Sequence, residues 1–128
     1  MITVTAGLIF CRDKALIAKR NLDDAWQAKW EFPGGKVNVG ESPDDCLRRE
    51  LMEELGISVK VLDFFDENIY EYEQGKIRLL GYYVKWLDRD IVPNVHQEVR
   101  WVAINSLKDY DFLPADLPFV ERLISDLE

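Results

Sequence analysis

The segment from Ser42 to Gly56 constrains this chain more than any other, because its punctuation asks for a helix. Ser42 can accept from the first free N–H groups, Pro43 suits the first turn, and Asp44 and Asp45 complement the positive end of the helix dipole. Gly56 then fits the left-handed stop. Counting about 100° per residue from Glu50, Leu47, Leu51 and Leu55 fall at about 60°, 100° and 140°, a stripe for burial. Glu54 at about 40° and Glu53 at about −60° share with Glu50 an arc about 100° wide. The carboxylates therefore flank the buried face instead of opposing it.

Like charges at this spacing destabilise a helix by about a few tenths of a kcal/mol per pair. Hard divalent cations, Mg²⁺ or Mn²⁺, are natural counter-charges for oxygen ligands at such density. A solvated acidic face is the plain alternative, and spacing alone leaves both readings open.

Charge and composition narrow the choice of ligand. A net charge of −8 with no basic stripe argues against DNA or RNA, so a polyanionic ligand would have to bind through metal ions. The single histidine, His96, excludes a multi-His metal site, and Cys11 and Cys46 sit in unrelated contexts that read as free thiols. The 128 residues fit one domain over 1–128 with a core of its own. Apolar runs such as Ala6 to Cys11 are too short to span a bilayer, and no basic leader or cleavage site precedes them. The expectation is a cytoplasmic protein.

Around the helix the pattern is mostly strand. Ile2–Phe10 and Ala15–Lys19 are apolar runs separated by Arg12-Asp13-Lys14, a hairpin; residues 21–29 read as a surface loop. Trp30-Glu31-Phe32 reads as a short strand stopped by Pro33-Gly34-Gly35. Long strands are expected over 57–72 and 76–87 with a turn at Gln74-Gly75, and another over Val99–Ile104. Leu117–Leu127 reads as a second amphipathic helix with Asp116 as its cap. Strands interrupted by two helices give an α+β class.

From Gly35 the sequence runs G-K-V-N-V-G-E-S-P-D-D-C-L-R-R-E-L-M-E-E-L-G-I. It matches the Nudix box, G-x5-E-x7-R-E-U-x-E-E-x-G-U with U aliphatic, at Gly35, Glu41, Arg49, Glu50, Leu51, Glu53, Glu54, Gly56 and Ile57. Such a match at fixed spacing is far more specific than a lone glycine-rich loop. Glu31–Lys36 (E-F-P-G-G-K) and Phe112–Pro118 (F-L-P-A-D-L-P) resemble flanking motifs of the family's MutT-like branch.

The resemblance implies a Nudix fold, a mixed β-sheet between α-helices with the box as loop-helix-loop. It implies hydrolysis of a nucleoside triphosphate to a monophosphate and pyrophosphate, with Mg²⁺ or Mn²⁺ as cofactor. Glu53 and Glu54 would be the core metal ligands, joined by Glu50 and the Gly35 carbonyl. Glu50 is the favoured general base, with Glu53 and Glu98 left open. Arg49 would hold a neighbouring carboxylate, and Glu41 and Gly56 would fix the turns at either end. Arg20 and Lys36 match positions that often contact phosphate. Family members commonly supply a further acid from the loop before the strand written here as E-V-R-W. Aligned on Trp101, that position falls at or near Val95, which cannot serve; Glu98 is the nearest acidic substitute, and His96 reads as a loop residue.

For the base, Phe32, Leu80 and Asp116 are the expected lining. The MutT enzyme has an Asn at the Asp116 position to read oxidised guanine, whereas relatives that hydrolyse CTP and dCTP have an Asp. Both 8-oxo-dGTP and (d)CTP or a modified pyrimidine nucleotide therefore stay open as substrates. No proline occurs between Pro43 and Pro93, and Tyr70 and Tyr72 miss the spacing of dinucleoside polyphosphate members, so a triphosphate leads over other diphosphate-linked substrates. The intact box argues against a non-catalytic sensing module. Monomer and homodimer both stand as expectations, with no membrane and no nucleic-acid polymer as partner.

Overall fold

The computed structural model describes residues 1–21 and 28–127. The surface loop expected over 21–29 falls for the most part outside them.

Ile2–Cys11 (β1) and Lys14–Lys19 (β2) form the expected hairpin, turning through Arg12 at a φ of 60°. Trp30–Glu31 (β3) and Glu98–Ala103 (β6) both pair antiparallel with β2. Ser58–Tyr72 (β4) and Gly75–Asp88 (β5) make a long antiparallel hairpin with register shifts that include Val61/Phe64. β1 lies parallel to β5, from Ile2 beside Ile77 to Ile9 beside Val84, and that pairing makes the sheet mixed. The order is β3-β2-β1-β5-β4, with β6 also on β2.

Two apolar clusters lie on the two faces of this sheet, and strand alternation sorts residues between them. Ile9, Leu16 and Val84 pack with Leu47, Leu51 and Leu55 of the helix Pro43–Leu55 (α1). Leu8 and Ile17, each next in sequence to a member of that set, pack with Leu79 and with Phe119, Val120 and Leu123 of the helix Leu117–Leu127 (α2). The leucine stripe expected of α1 is fully buried, which by area contributes about 1.5–3 kcal/mol per side chain.

Both ends of α1 are fixed by the residues that mark them. Ser42 Oγ accepts from the Asp45 N–H at 3.1 Å, and Gly56 at φ 69° donates to the Met52 carbonyl at 3.0 Å. The last turn has no basic side chain. Its carbonyls are instead met by the loop between β5 and β6, where Val92 N–H donates to Leu55 O and Asn94 N–H to Glu54 O, both at 2.9 Å. Asn94 Nδ2 donates to Glu53 O at 3.1 Å.

Two expectations shift. Ile104 leaves β6 to open a 3₁₀ turn over Ile104–Asp109. Asp116 does not act as the simple helix cap expected of it. It ends a 3₁₀ turn over Pro114–Asp116, and its Oδ2 accepts from the Phe32 N–H at 3.0 Å, a tie across the fold. That bond also explains why β3 stops at Glu31, since the next amide is committed to Asp116. Among the described residues no helix is long and apolar enough to cross a membrane.

Candidate active site

After β3 the chain runs back along β1: Gly7 N–H donates to Pro33 O at 2.7 Å, Thr5 N–H to Gly35 O at 2.8 Å and Val37 N–H to Thr3 O at 3.0 Å. Space there is tight at both glycines. A Cβ on Gly34 would lie 2.1 Å from the Thr5 carbonyl oxygen, and one on Gly35 would lie 2.2 Å from the carboxyl carbon of Glu50. The box helix is thus seated directly against the glycine strand.

The Gly35 carbonyl, expected as a metal ligand, accepts from the Thr5 amide and has Thr5 Oγ1 at 3.1 Å and Cys46 Sγ at 3.4 Å. The hydroxyl and the thiol can also bond each other, since Thr5 Oγ1 and Cys46 Sγ lie 3.4 Å apart.

Arg49 organises the carboxylates. Its Nε and Nη2 donate to the two oxygens of Glu41 at 2.8 and 2.9 Å, and Nη1 donates to Glu50 at 2.9 Å and Glu53 at 3.2 Å. Nη2 also reaches the Lys36 carbonyl at 3.2 Å. This is far from a solvated surface arginine. Hydrogen bonding from Arg49 is the chief reason the Glu41 carboxyl is lowered to about 2, with the Asn38 amide assisting.

Glu54 has the opposite environment. Burial first, and then the nearby charges of Glu31 and Glu50, push its carboxyl up to about 8, while His96 and Arg20 pull it back. Its Oε1 is buried with no hydrogen-bond partner, a condition shared among the described residues by His96 Nδ1 alone. A buried acceptor without a donor is costly unless something else meets it.

These residues fit a hard cation. The donor set is carboxylate oxygen, and one buried oxygen stands ready for a positive partner. As they stand, no three His, Cys, Asp or Glu side chains among the described residues converge on one point, because Glu50 and Glu53 are turned toward Arg49. Mg²⁺ does not demand a preformed cage, since it takes one or two carboxylates plus waters and substrate phosphates.

A cavity of about 550 Å³ opens beside this helix face, within the range that holds a small-molecule ligand. Its lining includes the charged side chains of Arg20, Glu31, Lys36, Glu50 and Glu54 and the apolar ones of Val4, Ile77, Leu79 and Leu113, with Phe32 and Asp116 also in the wall. Glu53 lies outside that lining and is more exposed. Burial raises the Asp116 carboxyl well above the ordinary carboxylate range, and the charge of Glu31 adds to the effect.

Two expected residues are misplaced. Leu79, not Leu80, lines the cavity; a one-residue error in a strand turns the side chain to the opposite face. Glu98 does not join the carboxylates. Its Oε2 ion-pairs with Arg100 at 2.8 Å, and Arg100 in turn lies over the Trp30 and Tyr110 rings. Three others were not anticipated. Glu31 bridges Arg20 and His96, His96 is buried, and Tyr72 lines the cavity while its hydroxyl accepts from the Ala115 N–H at 3.1 Å. The E-F-P-G-G-K motif already held Glu31, and it was the one signal that pointed there.

The fold is a mixed sheet with an acidic helix packed on one face beside a cavity of small-molecule size. Residues 1–123 match the NUDIX domain, and the chain belongs to that family. It is 31% identical over 121 residues to the 8-oxo-dGTP diphosphatase of Escherichia coli (strain K12), covering 94% of each chain. To the CTP pyrophosphohydrolase of the same strain it is 33% identical over 125 residues, covering 98% of this chain and 93% of the other. A crystal structure of a MutT protein from Methanosarcina mazei Go1 superposes with a TM-score of 0.88 at 25% identity, covering 99% of this chain and 95% of that one.

Proposed function

We propose that the chain, acting as a single domain, hydrolyses a nucleoside triphosphate to the monophosphate and pyrophosphate with Mg²⁺, or Mn²⁺ in its place. The observation that supports this most is Glu54 Oε1, a buried acceptor without a donor beside a cavity that Glu50 also lines. Glu50, Glu53 and Glu54 would hold the cation. When bound, the cation neutralises triphosphate charge and lowers the pKa of a water.

The chain's own residues do the rest. Arg20 and Lys36 in the cavity wall offset phosphate charge, and Arg49 keeps Glu50 and Glu53 turned to the same side of α1. Glu50, walled in by Gly35, is the side chain best placed to accept the proton of the attacking water. Phe32, Leu79 and Asp116 would receive the base. The relatives' substrates, 8-oxo-dGTP and CTP, set the field: an oxidised purine or a pyrimidine triphosphate from the soluble pool of the cytoplasm.

The test is a panel of ordinary and oxidised NTPs and dNTPs with Mg²⁺, read as pyrophosphate release and compared by kcat/KM. One substrate should stand well above the rest, and Glu53→Gln should abolish its turnover while the fold stays intact by circular dichroism. Undiminished turnover in that variant would overturn the mechanism. Tight nucleotide binding without any release would make the protein a sensor instead.

A further inference from the structure

Glu31 has both carboxylate oxygens engaged. Oε1 accepts from Arg20 Nη1 at 2.9 Å, and Oε2 is hydrogen-bonded to His96 Nε2 at 2.8 Å. The His96 side chain is 4% exposed and rides on the loop between β5 and β6. That loop is fastened on either side of His96. Gln97 N–H donates to Lys19 O, and Asn94 N–H to Glu54 O, each at 2.9 Å. His96 is therefore fixed to the same backbone that fixes α1 and β2, and it cannot shift without breaking those bonds.

Arg20 extends the chain of contacts into the cavity. It lines the wall together with Glu31, Glu54 and Asp116, and its charge is felt both at Glu54 and at Asp116. A guanidinium recognises phosphate best when its planar fork is preset, because a long side chain otherwise loses rotamer freedom on binding. His96 itself is poorly explained by packing. Its Nδ1 is buried with no hydrogen-bond partner, a loss set against the one bond that Nε2 makes to Glu31.

We propose that His96 is a positioning residue for polyphosphate binding, holding Glu31 so that Glu31 presets the Arg20 guanidinium. It acts without touching the substrate, and the proposal rests on reading the cavity as a nucleotide polyphosphate site. The loop position next to Val95 would thus serve binding through Arg20, and it would not supply an acid to the chemical step.

A double-mutant cycle tests it. The dissociation constant of a non-hydrolysable nucleoside triphosphate is measured calorimetrically with Mg²⁺ for the wild type, His96→Leu, Arg20→Ala and the double variant, alongside KM and kcat with the hydrolysable substrate. His96→Leu should weaken binding and raise KM by about tenfold with kcat within about twofold of wild type. His96→Gln, whose amide can still donate to Glu31, should recover most of the loss. In the Arg20→Ala background His96→Leu should have no further effect. Independent, multiplying losses would overturn the proposal, as would equal losses in the Leu and Gln variants or a fall in kcat with KM unchanged. If His96→Leu does not fold, Glu31→Gln takes its place in the same cycle. The analogue is read without turnover, so a wild type that releases no pyrophosphate overturns the proposed reaction and leaves the cycle decisive.

Discussion

Arg49 grips Glu41 with a two-pronged hydrogen bond, Nε to Oε2 at 2.8 Å and Nη2 to Oε1 at 2.9 Å, and uses its remaining nitrogen for Glu50. The box loop and the box helix are thereby joined through one planar group. Lysine supplies the charge but cannot reproduce a fork. Arg49→Lys should therefore lower kcat by about 10- to 100-fold, the usual loss when a ligand's supporting partner is removed. The melting temperature should move little, since lysine keeps a positive charge beside Glu41 and Glu50. Steady-state kinetics beside thermal melting would check both, and an unaltered kcat would exclude the supporting role.

The same pair predicts an acid limb in stability. Glu41, lowered to about 2 from its ordinary 4.5, stabilises the fold above 4.5 and loses that contribution as pH falls toward 2. Glu41→Gln should flatten denaturant midpoints measured across that window. A variant with the same acid dependence as wild type would show that other carboxylates govern it.

Glu54 reverses the sign. Its carboxyl is raised to about 8, so the unfolded chain ionises it near 4.5 while the folded protein without cation holds the proton. Stability from this group falls as pH rises through that interval. A cation that takes Glu54 as ligand must displace the proton, so Mg²⁺ should raise the melting temperature more above pH 8 than at pH 6. Glu54→Gln should remove most of that difference. Equal Mg²⁺ shifts at both pH values would argue that Glu54 is not a ligand.

What the sequence revealed, and what it hid, follows the range of the interactions. The α1 helix was legible because Ser42, Pro43, the leucine stripe and Gly56 each act on neighbours within a turn or two of themselves, inside one continuous segment. The mixed sheet was legible only as a class, since the parallel β1–β5 pairing joins segments 75 residues apart, Ile2 beside Ile77. The bonds that complete the site are as distant: Glu31 to His96 spans 65 positions and Phe32 to Asp116 spans 84. No periodicity records such pairs. Leu80 was mistaken for its neighbour because a long hydrophobic run hides which parity faces the cavity. Glu98 carried its own warning, for Arg100 two residues on lies on the same face of the strand.

Base selectivity should turn on Asp116. Its Oδ2 already accepts from Phe32, and an asparagine carbonyl can take the same bond, so Asp116→Asn should fold normally. The amide carries its N–H donor at every pH, whereas the carboxyl carries a donor only while protonated. The ratio of kcat/KM between an oxidised purine and a cytosine triphosphate should therefore shift by about tenfold, near what one gained or lost hydrogen bond contributes. An unchanged ratio would confine Asp116 to tying Phe32 in place.

Gly34 and Gly35 are adjacent, yet alanine should harm them in different ways. At Gly34 the new Cβ would meet the Thr5 carbonyl oxygen at 2.1 Å and the Thr5 carbonyl carbon at 2.7 Å. Those are backbone atoms of a strand locked to β5, so the clash can be relieved only by separating the loop from β1. At Gly35 the obstacle is the Glu50 carboxylate, the end of a flexible side chain, with its oxygens at 2.4 and 2.6 Å. Glu50 can rotate away, at the expense of its bond to Arg49 and its place in the cavity wall. Gly34→Ala should therefore lower the melting temperature sharply, and activity should fall with it. Gly35→Ala should melt near wild type while kcat drops by at least about 100-fold, the scale of a lost general base. Full activity in a stable Gly35→Ala protein would mean that Glu50 need not stand where it does, and the proton would have to be taken by another carboxylate.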